Sequence, residues 1–213
     1  MFWIWLLALN QHEPAEEMGL TPEEMPFNAA LAKAQHGAVM VLDSRAEPMR
    51  RLWCLYEVGR ASQFKQALWL IVDEGDLANA SASTLEEISD RLLELRACKA
   101  NASRASDELA IHYRILDPAA KSQVGSFEFF KQCAGAMNES MFVEFDAHIC
   151  SLIGTPILKA GLRAQSEAVC MRAIGMGAEA TVTDLKTLTT KPYSADLTAK
   201  LETRFGECGL AKE

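Results

Sequence analysis

HGAVMVLDSRAEPMRRLWCLYEVGRASQ, residues 36–63, decides the reading of the fold, because it joins an apolar strand to an amphipathic helix. Ala38 to Leu42 (AVMVL) is a short β-branched and aliphatic run that ends at the polar pair Asp43-Ser44. Pro48 suits the first turn of a helix, and the spacing predicts one from about Met49 to Phe64. On that helix Trp53 and Glu57 stand four positions apart and share a face.

Working outward, the pattern repeats. Upstream, MFWIWLLAL at residues 1–9 reads as a buried parallel strand turning at Asn10-Gln11. It is too short to span a bilayer, which needs about 20 apolar residues, and no basic segment precedes it as in an export signal. Residues 12–26 carry Pro14, Pro22, Pro26, Gly19 and glutamates 13, 16, 17, 23 and 24, so they read as a solvated loop. Ala29 to Gln35 then reads as a short helix ended by Gly37. Downstream, Ala67 to Val72 (ALWLIV) is another apolar strand, closed by the turn Asp73-Glu74-Gly75-Asp76. Short apolar strands alternating with helices predict right-handed crossovers and a parallel sheet covered on both faces.

From residue 83 every clear pattern is helical. Ser83 and Glu86 have capping-box spacing ahead of the stripe Leu85, Ile88, Leu92 and Leu95. Further helices are expected from about Arg104 to Leu116, starting at Phe127, Phe130 and Cys133, and along Phe142, Phe145, Ile149 and Leu152. Gly154-Thr155-Pro156 reads as a boundary, with helices near 156–174, 181–189 and 195–207 beyond it. The expected organisation is therefore an α/β core at residues 1–78, helices packing on it at 79–153, and a helical extension at 154–213. No repeat of fixed period is evident.

Composition narrows the function. The 213 residues are 49% hydrophobic, enough for a globular core, and the formal charge of -8 with scattered basic residues speaks against a nucleic-acid surface. Nothing in the pattern calls for a membrane. The six cysteines (Cys54, Cys98, Cys133, Cys150, Cys170 and Cys208) contain no C-x-x-C pair and several fall on apolar helical positions. They read as free thiols of a cytoplasmic protein, and no ligand spacing supports a metal site.

The residues of the opening stretch carry a resemblance. GAVMVLDSRAEPMRRLWCLYEV resembles the third strand and third helix of TIR (Toll/interleukin-1 receptor) domains, in which a strand ends in a serine-containing loop and a W-C-x-x-E-L helix follows. Here that motif is Trp53-Cys54-Leu55-Tyr56-Glu57-Val58. WIWLLALNQ is similar to the W-I-D-x-x-x-I-N-Q stretch of the TIR-like heterokaryon-incompatibility domains, matching at Trp3, Ile4, Asn10 and Gln11, with Trp5 in place of the aspartate. The resemblance covers residues 1 to about 75. It implies a TIR-like, flavodoxin-like three-layer α/β core with a parallel sheet, followed by the helical region.

Two functions follow from the resemblance. In the adaptor branch the fold assembles with other proteins, itself included, without chemistry. In the enzymatic branch the helix glutamate cleaves the nicotinamide glycosidic bond of NAD. Glu57 would then be the catalytic carboxylate, with Asn10, His12, Asp43, Ser44 and Trp53 around the cleft and NAD as substrate, no other cofactor being implied. Nicotinamide leaves as a neutral ring, so one carboxylate that steadies the oxocarbenium-like ribose suffices. The family's first strand, with its F/Y-D-x-F-I-S signature, has no counterpart here, nor has the R-D-x-x-P-G loop; Phe129-Phe130 is the nearest match to the F-W box. Either the sequence is a piece of a longer protein or it is a divergent relative, and the adaptor reading is the expectation.

Simpler roles stand beside these. Trp53 and Cys54 suit core packing, and Glu57 suits an ion pair with Arg60 one turn on. His12 suits an exposed loop and His36 a helix end, while His112 and His148 sit inside helical patterns. A nucleotide- or phosphate-binding flavodoxin-like domain is disfavoured, because no glycine-rich loop follows a strand.

Overall fold

Val39 and Val41, β-branched residues at alternate positions, lie in the first described strand, β1 (Ala38–Val41). A computed structural model describes residues 24–117, 131, 134–188 and 192–206. The strand expected at residues 1–9, the candidate ligand residues Asn10 and His12, and Phe127, Phe130 and Cys133, where a third helix is expected to start, lie outside the described residues.

The α/β character is present. Ahead of β1 comes α1 (Pro26–Lys33), started by Pro26 with its preset φ and ended at Ala34. This helix begins three residues earlier than the sequence suggests, and Gly37 does not cap it. Gly37 instead takes φ +101°, and a Cβ there would sit 2.3 Å from the Ala67 carbonyl oxygen. The exposed carbonyls at the end of α1 are taken by Gln66, whose Nε2 donates to Leu31 and Ala34 at 3.0 Å each. After β1 a short 3-10 turn at Glu47–Arg50 leads into α2 (Leu52–Gln63).

β2 (Leu68–Val72) runs parallel to β1, fixed by Ala38 N donating to Ala67 O and Leu42 N to Ile71 O, both at 2.8 Å. The expected closing turn at 73–76 is a hairpin instead. Gly75 takes φ +103°, which lets the chain reverse, and β3 (Gly75–Asp76) pairs antiparallel with Val72 and Ile71. The sheet is therefore mixed, in the order β1-β2-β3, and not all parallel. Burial along β1 and β2 alternates, with Val39, Val41 and Trp69 51%, 62% and 54% exposed, so neither strand is buried on both sides.

Eight α-helices are described, and the chain divides into two compact units. The first draws on Met1–Ala38, Arg50–Leu68 and Arg96–Phe145. In it α2 packs on α1 and on α4 (Ala105–Leu116), around Phe27, Leu52, Leu55, Ile111 and Phe142, each 2% exposed or less. The start of α2 is anchored by a parallel bridge between Arg51 and Asn101. His112 is a core residue, its Nε2 3.2 Å from the Ala97 carbonyl and its ring edge-on to Phe142.

The second unit draws on Val39–Met49, Trp69–Leu95 and Asp146–Glu213. α3 (Ala82–Leu93) packs on α6 (Glu167–Gly175), and α6 on α8 (Ala195–Phe205). The N-cap of α3 is Ser81, whose hydroxyl accepts from Thr84 N, and not the expected Ser83. α5 (Val143–Ala164) runs unbroken through Gly154-Thr155-Pro156, where a boundary was expected. By length and composition alone the helical stretch Glu139–Ala164, which includes α5, could cross a membrane; Ile149, Ile153, Ile157 and Leu158 on it are fully buried in the protein. α7 (Val182–Leu188) and α8, in the stretch expected as a helical extension, bury Leu185, Leu197 and Leu201 fully.

Candidate functional site

Glu57 lies in the second turn of α2, five positions after Leu52, on a helix whose buried face is Leu52, Leu55, Tyr56, Val58 and Gly59. That face places the Glu57 carboxyl at the border of the core, where it is half-buried. It makes no hydrogen bond and no ion pair with any described residue. Burial pushes its pKa up to about 7, against a smaller downward pull from Arg51. A carboxyl that changes charge near neutral pH can serve as an acid, a base or an electrostatic stabiliser.

The ion pair expected between Glu57 and Arg60 does not form. Arg60 donates from Nε to Asn28 Oδ1 at 2.8 Å and from Nη1 to Gln63 Oε1 at 2.5 Å, and its guanidinium lies over the Phe64 ring at 4.9 Å. Asn28 is buried on α1, and an amide taken out of water needs such a partner. The packing of α1 on α2 therefore redirects the arginine away from its near neighbour in sequence.

Trp53 stands one turn before Glu57 and is half-buried. Its ring meets Phe27 edge-on at 6.2 Å and Tyr56 edge-on at 6.2 Å, while Phe27 and Tyr56 meet at 6.1 Å. This aromatic triangle joins α1 to α2, so the tryptophan of the W-C-x-x-E motif is a packing residue. Cys54 is held protonated, its pKa raised to about 11 by burial first and by the Glu57 charge second, with Arg51 opposing. Its thiol is not poised as a nucleophile.

The structure places the remaining expected site residues unequally. Trp53 and Glu57 belong to the first compact unit, and Asp43 and Ser44 to the second. Asp43 follows β1 and turns its Oδ1 onto the backbone N–H of Glu47 at 2.8 Å, satisfying the first donor of the 3-10 turn. Ser44 is exposed beside it. Asn10 and His12 lie outside the described residues. Among the described residues no group of three or more His, Cys, Asp and Glu could hold a metal ion, and Cys54 and Cys170 are free thiols.

Residues that matter here without having been expected are Phe27 and Asn28. Phe27 and Asn28 follow Pro26 in a stretch whose helical start is hidden in the sequence by the proline- and glutamate-rich run before it. The only signal for them is that proline at a first helical position. Comparison with protein-family models, with curated proteins and with solved structures finds no match to this chain.

Proposed function

We propose that this chain is a TIR-like signalling module with a flavodoxin-like core, which acts in the cytoplasm by binding other proteins, further copies of itself included, and without catalysis. The observation that carries this reading is the apolar stripe on the sheet. Val39 and Val41 project from one side of β1, and the parallel register sets Trp69 beside Val39. All three are more than half exposed. Large apolar side chains clustered on a strand face mark a contact surface more often than a solvated one. Trp53 and Asp43 support the same reading, since the first is taken up in packing and the second in closing a turn.

Sedimentation velocity tests it. The wild-type chain is expected to form concentration-dependent oligomers, and Val41→Glu to run as a monomer with an unchanged circular dichroism spectrum. A wild-type chain that stays monomeric and binds no second protein through this face overturns the reading.

A second reading has its own observation. An unpaired, half-buried Glu57 with a pKa near 7 suits an NAD glycohydrolase in which the ionised carboxylate steadies the ribose charge. Such an enzyme releases nicotinamide from NAD, and Glu57→Ala abolishes the release. Because the working form is ionised, the rate rises with pH through about 7. No nicotinamide release at high protein concentration sinks this alternative.

A further inference from the structure

Ser83 begins the run Ser-Thr-Leu-Glu-Glu, which has carboxylates three and four positions on, at Glu86 and Glu87. In a helical sequence that pattern ordinarily signals a capping box. Here capping is the work of Ser81, which accepts from Thr84 N, while Glu74 accepts from Ser81 N and from the hydroxyls of Ser81 and Thr84. Ser83 makes no bond to the helix backbone. Its side chain is exposed, and its Oγ bonds only to Ser81 Oγ, at 3.0 Å. Glu87 is exposed, and Glu86 is half-buried and accepts from Ser166 Oγ at 3.0 Å.

We propose that Ser83 is a phosphorylation site for an acid-directed serine/threonine kinase, one whose basic substrate groove reads the carboxylates that follow the hydroxyl. The γ-phosphoryl of ATP passes to Ser83 Oγ. An O–P bond forms there, the bond to the β,γ-bridging oxygen breaks, ADP leaves, and the hydroxyl proton goes to the kinase base. The product carries a charge of about -1.5 to -2 near neutral pH. The oxygen that carries it, Ser83 Oγ, is linked to the Glu74 carboxylate through Ser81 Oγ by two hydrogen bonds of 3.0 Å each. Glu74 is exposed and held ionised by its bonds to Thr84 and Ser81. Like-charge repulsion then drives Glu74 off Ser81 and Thr84, and the β2–β3 turn loses its tie to α3.

The test is phosphorylation of the purified, folded chain by an acid-directed kinase with ATP, read by mass spectrometry. One phosphate on Ser83 is expected, absent in Ser83→Ala. Glu86→Gln preserves the acceptor for Ser166 and should slow labelling about tenfold, the loss of one charged contact to the kinase. Amide exchange at Ser81 should quicken in the phosphorylated chain. No phosphate at Ser83, labelling only after denaturation, or an Glu86→Gln rate equal to wild type overturns the site. Unchanged exchange at Ser81 overturns the consequence drawn for Glu74.

Discussion

Glu57 makes the stability of the protein depend on pH, whichever function it serves. Its folded pKa is raised, so between the ordinary carboxyl value of 4.5 and about 7 the folded state binds more protons than the unfolded chain. Stability therefore falls as pH rises through that window, the reverse of the usual carboxylate behaviour. The effect amounts to at most about 3 kcal/mol between pH 4.5 and 8, since each pKa unit is worth about 1.4 kcal/mol. Denaturant titrations of wild type and Glu57→Gln at those two pH values measure it. The glutamine variant should lose most of the difference and be the more stable protein at pH 8. The aromatic triangle gives a second expectation at this scale. Phe27 is 2% exposed between Trp53 and Tyr56, so Phe27→Ala should cost about 3–5 kcal/mol. Trp53, half-buried in the same triangle, should cost less when cut to alanine. The motif that gave Glu57 and Trp53 their prominence was legible because both lie on one helix. Arg60 was misread for the opposite reason: its partner Asn28 is 32 residues away, and local spacing offers only near neighbours.

At the scale of elements, strands and helix interiors were legible and their ends were not. β1, β2 and α2 fall within a few residues of the apolar runs that predict them, because burial of those runs is what forms them. The caps shifted, as with Ser81 in place of Ser83, because three hydroxyls within four residues offer nearly equivalent local choices and Glu74 decides between them from outside the helix. The larger miss is α5. Pro156 removes one backbone donor and ordinarily ends or kinks a helix. Two glycines explain why the helix continues. Gly154 faces Met176, Ala173 and Ala178, and Gly161 faces Val169 and Cys170 of α6, so close packing on α6 outweighs the local penalty. Thr155 adds a bond from its hydroxyl to Ser151 O at 3.0 Å and accepts Glu179 N at 2.8 Å. A Cβ at Gly161 would meet Val169 Cγ1 at 2.7 Å and Cys170 Sγ at 3.2 Å. Gly161→Ala should therefore destabilise the protein by about 1–3 kcal/mol although alanine is the better helix former. A thermal melt above that of wild type would show that α6 yields, and that packing on it is not what carries α5 past the proline.

At the scale of the molecule, the proposed assembly has to overcome the charge of the chain. Each copy carries a formal -8 at pH 7, so two copies repel at long range before any apolar surface is buried. The stripe of Val39, Val41 and Trp69 is uncharged, so the short-range attraction it offers does not depend on salt. These two terms respond differently to ionic strength. Raising salt from about 10 mM to about 150 mM shortens the screening length from about 30 Å to about 8 Å, which weakens the repulsion and leaves the apolar contact unchanged. Self-association through this face should therefore tighten with added salt. Assembly held by pairing of acidic and basic surface residues would loosen instead. Sedimentation at the two ionic strengths separates the cases, and Val41→Glu, which puts a charge into the stripe and adds one to the net -8, should remove the salt-induced oligomer altogether. A wild-type oligomer that dissociates on adding salt places the contact elsewhere on the surface and removes the apolar stripe from the account of how this protein works.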